Sequence, residues 1–213
     1  MVSEQLLKYS ENELVDYIAN DAGSSKPHFG GNINGKDHLQ LQQNPQEFTN
    51  LLLFLKGFGS KSYLEIGVGQ GGSFLLCSLF QPLAVHFHAV DNCNYMETAA
   101  GFEDQEVSIL EKVELLKKLK NIDDIKFFNT NSDKWFASNN LSYDTIFIDG
   151  DHSYEGVKRD FLNAEQILNK NGCIIFHDIA KNGTGVNQIW EEIDSSRKVN
   201  EWILSNFGIG IIK

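Results

Sequence analysis

Four apolar runs in this chain stop at groups able to hold charge. Tyr63-Leu64 runs into Glu65, Val85–Val90 into Asp91, Tyr143–Ile148 into Asp149, and Cys173–Phe176 into the pair His177-Asp178. One acid at a strand end is often only a turn or cap residue. Several that share an edge repel unless a cation sits among them, and that cation could be a metal, a sulfonium or both. After Asp149 come Gly150, Asp151 and His152, a carboxylate and an imidazole of the types that take a proton from a hydroxyl.

A glycine-rich turn accompanies the first acid: Glu65-Ile66-Gly67-Val68-Gly69-Gln70-Gly71-Gly72-Ser73. Glycines let backbone approach a ligand, and a helix starting at Ser73 adds free N–H groups. Gly67, Gly69 and Gly72 also satisfy the dinucleotide pattern G-x-G-x-x-G, with Asp91 24 positions after Gly67 (91 − 67). Asp91 could accept ribose hydroxyls in either class of enzyme, so an NAD-dependent oxidoreductase stays open as the alternative. Glu65 tilts the choice, because an acid in a strand buried on both faces makes sense opposite a cationic or amine-bearing ligand.

The turn with Glu65 resembles motif I of class I S-adenosylmethionine-dependent methyltransferases, Glu-x-Gly-x-Gly-x-Gly. The stretch Tyr143–Asp160, with Ile174–Ile179 after it, resembles the metal-dependent O-methyltransferases, closest to the macrolide-sugar and aminocoumarin-sugar enzymes and more distantly catechol O-methyltransferase. The resemblance covers roughly residues 44–213. It implies transfer of a methyl group from S-adenosylmethionine to a hydroxyl of a small molecule, a sugar or glycosylated metabolite among the candidates. It also implies that Glu65, Gly67, Gly69, Gly71 and Ser73 hold the methionine end, Asp91 the ribose and Ser132, in Asn131-Ser132-Asp133, the adenine. Asp149, shared with the cofactor site, would bind a divalent metal together with His177 and Asp178. Asp151 would be the general base, with His152 as runner-up or as a group steadying Asp149. The related enzymes carry an acid where this chain has His177. Imidazole suits transition metals better than magnesium, so the metal is either magnesium or a transition metal, and a histidine that merely closes a buried strand stays open too.

Alternating strands and helices must position these groups. They predict an α/β, Rossmann-like, doubly wound fold with a mostly parallel seven-stranded sheet, helices on both faces and a terminal antiparallel hairpin from Val199–Leu204 and Ile209–Ile212. Residues 3–20 read as one amphipathic helix. Residues 21–43 read as a lid-like loop, its His28 and His38 either touching substrate or solvated. The chain thus divides into an N-terminal helix and cover, 1–43, and a methyltransferase domain, 44–213. Asn44-Pro45-Gln46-Glu47 reads as a capped helix start with a capping box, stopped by Gly57. Asn171-Gly172 reads as a helix end. Trp135, Trp190 and Gly183–Val186 each read either as pocket wall or as plain core and helix start.

Composition narrows the partners. Net charge is −11 over 213 residues and no basic stripe stands out, against a nucleic-acid or anionic-membrane partner. No apolar run reaches membrane-spanning length. The N-terminus lacks a signal-peptide pattern. Cys77, Cys93 and Cys173 are too scattered for a disulfide or zinc framework. A cytoplasmic enzyme acting on a small hydroxylated molecule is expected, with a homo-oligomer left open.

Overall fold

The computed structural model describes residues 2–21, 39, 41, 43–94 and 105–213. Among them seven strands form one sheet: β1 Ser62–Ile66, β2 His86–Asp91, β3 Ile125–Asn129, β4 Tyr143–Ile148, β5 Leu168–His177, β6 Lys198–Trp202 and β7 Ile209–Ile212. Their order across the sheet is β3-β2-β1-β4-β5-β7-β6. The pairs β1–β2, β1–β4, β2–β3 and β4–β5 are parallel, and β7 runs antiparallel to both β5 and β6. The expected sheet and closing hairpin are borne out.

Seven α-helices flank the sheet among the described residues: α1 Glu11–Asp16, α2 Pro45–Phe58, α3 Gly72–Leu79, α4 Gln105–Lys120, α5 Ser132–Ser138, α6 Tyr154–Ile167 and α7 Gly185–Glu192. The alternation along β1 explains why they lie on both faces. Tyr63 joins one apolar cluster with Leu51, Phe74 and Ile109 from α2, α3 and α4, while Leu64 and Ile66 join the other with Trp135, Val157 and Trp190 from α5, α6 and α7. Phe48, Leu51, Leu52 and Leu55 make one buried stripe of α2, worth roughly 1.5–3 kcal/mol per side chain against exposure. Val2, Leu6, Leu14 and Ile18 join the same cluster, so the described N-terminal segment shares the core of the rest. The lid-like loop, with His28 and His38, lies outside the described residues apart from Asp21, Leu39, Leu41 and Gln43. No described helix is long and apolar enough to cross a membrane.

Local expectations fail where another bond wins. The single helix over 3–20 is instead a 3₁₀ turn Glu4–Lys8, then α1, then a π turn Tyr17–Asp21. Ser10 breaks it by forming a capping box with Glu13 that starts a new helix. Asn44 caps α2 through the N–H groups of Gln46 and Glu47 as expected, but the helix passes Gly57 and ends at left-handed Gly59. Asn171-Gly172 is no helix end either. α6 stops at Ile167, and the pair falls inside β5 at an irregularity of its register with β4.

Glu47 closes no capping box. Its carboxylate accepts from the N–H groups of Leu204 at 2.6 Å, Ser205 at 2.7 Å and Gly208 at 3.2 Å, across the turn between β6 and β7. Glu47→Ala would leave those donors without their acceptor. It is expected to destabilise the fold by about 2–4 kcal/mol, read as a lower urea midpoint at unchanged slope. A midpoint equal to wild type would mean water replaces the carboxylate at no cost.

Candidate active site

A cavity of about 710 Å³ opens at the carboxyl ends of β1, β2, β3 and β4, where parallel α/β sheets bind ligands. The glycine turn is its floor. Gly67, Gly69 and Gly71 have φ of +79°, +53° and +85°, a region that disfavours side chains. A Cβ on Gly67 would overlap the Asp149 carbonyl and the Gly150 Cα, while one on Gly69 would meet nothing within 4 Å. The first glycine thus lets β1 and β4 close together, and the second leaves room above the turn. Gly71 departs from the expectation. It packs on Ile109 and Lys112 of α4 and does not line the cavity, whereas Gly72 does, beneath the carbonyl of Leu39.

Glu65 departs as well. It is fully buried and behind the wall, not on it. One carboxylate oxygen takes the Tyr63 hydroxyl and the other the Ser73 hydroxyl, and Ser73 is the residue that faces the cavity. The period of two along β1 causes this, because Glu65 shares the α3 face with Tyr63. Burial pushes the Glu65 carboxyl up to about 8, over the lowering effect of the two hydroxyls. Between its ordinary 4.5 and 8 the folded chain holds a proton that the unfolded chain releases, so stability falls as pH rises across that window. Glu65→Gln is expected to flatten this fall in thermal melts from about pH 5 to about pH 9. Equal slopes in the two proteins would assign the effect to another group.

Asp91 lines the next part of the wall. One oxygen accepts from Val68 N at 2.7 Å and Gly69 N at 3.1 Å, and the other from Cys93 N at 2.8 Å and Gln105 Nε2 at 3.2 Å. It therefore shapes the glycine turn besides facing the cavity. Ser132, the first residue of α5, stands beyond it, with Asp133 ion-paired to Arg159 at 3.2 Å. Trp135 is core, packed on Phe128 and Tyr143.

At the other end the polar strand ends converge. His177 Nδ1 lies 3.0 Å from Asp149 Oδ1 and 3.5 Å from Asp178 Oδ1. His152 lies with Nδ1 3.2 Å from Asp178 Oδ2 and Nε2 3.7 Å from Asp149 Oδ1. Asp178 turns inward because its backbone is left-handed, φ +63°, a conformation Asp tolerates better than most residues. The ring of His177 stacks on Phe207 at 5.9 Å. Burial alone would keep Asp149 neutral and His177 uncharged. Their mutual attraction overrides it, holding Asp149 down to about 2 and raising His177. The nearby Asp149 carboxylate, against partial burial, raises His152 too.

The expected metal ligands Asp149, His177 and Asp178 are thus brought together, but as carboxylate–imidazole pairs. His177 Nδ1 against Asp149 Oδ1 and His152 Nδ1 against Asp178 Oδ2 already fill the positions an ion would take between these groups. Among the described residues no group of three His, Cys, Asp or Glu is arranged to hold a metal ion. As arranged, the set does not fit a metal.

Asp151 is on the wall but occupied. Its Oδ1 accepts from Ser153 N at 2.8 Å, and its other oxygen packs on Gly156. His152 is half-buried, its side chain 37% exposed, whereas Asp151 is exposed. Gly185 N donates to the His152 carbonyl at 2.8 Å, and the glycine packs on the Ser153-Tyr154 backbone. Thr184 caps α7. Gly183–Val186 is therefore a helix start that braces His152, and Trp190 is core.

Gln43 and Asp160 are among the cavity residues with no role expected from the sequence. Gln43 reaches in from the N-terminal segment, its Nε2 3.2 Å from Asp149 Oδ2, a contact across 106 positions with no local signature. Asp160 did have one. It sits three residues after Val157 and one before Phe161, inside the apolar stripe of α6, and an acid in such a stripe calls for a reason.

Three solved methyltransferases share this fold. PaMTH1 of Podospora anserina, bound to SAH, aligns with a TM-score of 0.60 and 14% identity over 81% of this chain and 79% of that one. The O-methyltransferase of Bacillus cereus, in complex with SAH, gives 0.59 and 14% over 98% and 94%. TomG of Streptomyces achromogenes, an O-methyltransferase involved in tomaymycin synthesis and solved with SAM, gives 0.59 and 11% over 95% and 90%. No curated protein sequence matches the chain. The profile of a methyltransferase-domain family does, over residues 64–179, and decides between the two readings of the glycine turn. That stretch holds the turn, Asp91, Asp149 and His177-Asp178 in one frame, and the chain belongs to this methyltransferase family, with the class I fold.

Proposed function

We propose that the chain transfers a methyl group from S-adenosylmethionine to a hydroxyl of a small molecule, with a sugar or glycosylated metabolite as the acceptor class suggested by the resemblance. The observation that carries this is one cavity with a glycine turn at its floor and an imidazole held by two carboxylates at its rim. In this reading the backbone of Gly67 and Gly69 and the Ser73 hydroxyl receive the methionine end, Glu65 positions Ser73, Asp91 takes the ribose hydroxyls and Ser132 stands at the adenine. Methyl transfer from sulfonium to oxygen is in line, so catalysis consists largely of placing the two atoms and removing the hydroxyl proton.

His152 is the base in this proposal, ahead of Asp151, because Asp151 already accepts from Ser153 N, the residue that caps α6. Asp178 beside Nδ1 favours the tautomer with its proton on that nitrogen and leaves Nε2 to receive the acceptor's proton. Asp149, 3.7 Å from Nε2, then stabilises the imidazolium. No step passes through a metal.

Calorimetry tests the reading. S-adenosylmethionine and S-adenosylhomocysteine are expected to bind with measurable heat and NADH to give none. No heat from either sulfur ligand at millimolar concentration would end the proposal. Chelation with EDTA is expected to leave affinity and turnover on an accepted hydroxyl substrate unchanged. A loss reversed by Mg²⁺ or Mn²⁺ would return Asp149, His177 and Asp178 to a ligand role.

A further inference from the structure

Asp160 is the only charged group among the buried residues of α6. It is 3% exposed and lines the cavity. Oδ2 lies against Gly150, 3.5 Å from where a Cβ would stand there. Ser132, at the start of α5, is near enough to lower the Asp160 pKa against the effect of burial. Oδ1 has no hydrogen-bond partner among the described residues. A buried carboxylate oxygen left empty is costly, and such an orphan needs an explanation. Burial raises the carboxyl to about 6, which leaves it mostly ionised and accepting at neutral pH. An apolar residue would continue the Val157–Phe161 stripe without that cost.

The donor that fills Oδ1 follows by elimination. S-adenosylmethionine offers its ammonium, two ribose hydroxyls and the 6-amino group of adenine. On the reading above, the ammonium lies at the Ser73 end and the hydroxyls lie at Asp91. Asp160 lines the same cavity beside Gly150, with Ser132 near it, and its contacts are away from both Ser73 and Asp91. We propose that Asp160 accepts a hydrogen bond from the adenine 6-amino group and sets the base specificity of the cofactor site. This rests on the S-adenosylmethionine reading. Asp160 is a specificity-determining residue and takes no part in the transfer itself.

Calorimetry on the full chain at about pH 8, where Asp160 is ionised, tests it with three ligands: S-adenosylhomocysteine, its 6-deamino analogue and S-inosylhomocysteine. Wild type is expected to bind S-adenosylhomocysteine at least about tenfold tighter than the 6-deamino analogue. Asp160→Val is expected to bind the two equally. In Asp160→Asn the amide can donate to a 6-oxo group, so the preference for S-adenosylhomocysteine over S-inosylhomocysteine is expected to fall by about tenfold. Wild type indifferent to the amine, or Asp160→Val retaining the wild-type ratio, overturns the proposal. If Asp160→Val does not fold, an unchanged ratio in the near-isosteric Asp160→Asn overturns it alone. A wild type that binds none of the ligands sinks the cofactor reading together with this one, whereas binding of S-adenosylhomocysteine without preference for the amine sinks only this one.

Discussion

His152→Ala is expected to lower kcat by about 10²–10⁴ on whichever sugar or phenol the wild type methylates, while the heat of S-adenosylhomocysteine binding persists. The residue sits where the chemistry needs a base. It is open to the cavity, and carboxylates flank both ring nitrogens, Asp178 at 3.2 Å and Asp149 at 3.7 Å. Asp178→Asn is expected to lower kcat as well, by a smaller factor, because an amide holds the imidazole less firmly in one tautomer. Exogenous imidazole is expected to restore part of the His152→Ala activity. A His152→Ala enzyme at wild-type kcat would hand the base role back to Asp151, and Asp151→Asn would then show the loss.

Gly67→Ala carries the second large effect, and it acts on fold and site together. Its φ of +79° disfavours alanine by roughly 1–2 kcal/mol. Its Cβ would also overlap the Asp149 carbonyl and Gly150 Cα, main chain just past the end of β4, with no side chain free to swing away. β1 and β4 would have to part at the point where the cavity begins. A total loss of about 2–4 kcal/mol is expected in chemical denaturation, with S-adenosylhomocysteine binding abolished. Gly69→Ala separates the two causes. Its φ of +53° is also left-handed, but nothing lies within 4 Å of the added Cβ. It is expected to stay folded with a smaller loss and to bind ligand poorly, because the methyl group enters the room above the turn. Equal stability of the two variants would show that the close approach of β1 and β4 yields easily.

Much of the site was legible from local pattern, because local pattern decides where a strand ends. The period of two through Leu64, Ile66, Val90 and Ile148, and the acid or glycine that stops each run, placed Asp91, Asp149, His177 and Asp178 along one edge once the strands were parallel. The glycine turn was readable because left-handed backbone leaves a compositional trace at Gly67 and Gly69. Asp160 was readable too, as an acid at the third step of an apolar helical stripe.

The sequence by itself therefore determined the order of the elements, the parallel sheet and the edge on which charge gathers, since each follows from the backbone conformations and apolar spacing of a few neighbouring residues. Only the tertiary structure decided that Glu65 turns behind Ser73, that imidazoles pair with Asp149 and Asp178, and that Glu47 binds a turn 157 positions away. Those outcomes depend on which groups packing brings within hydrogen-bond distance in a water-poor interior, where an unmet polar atom costs more than a local preference can supply.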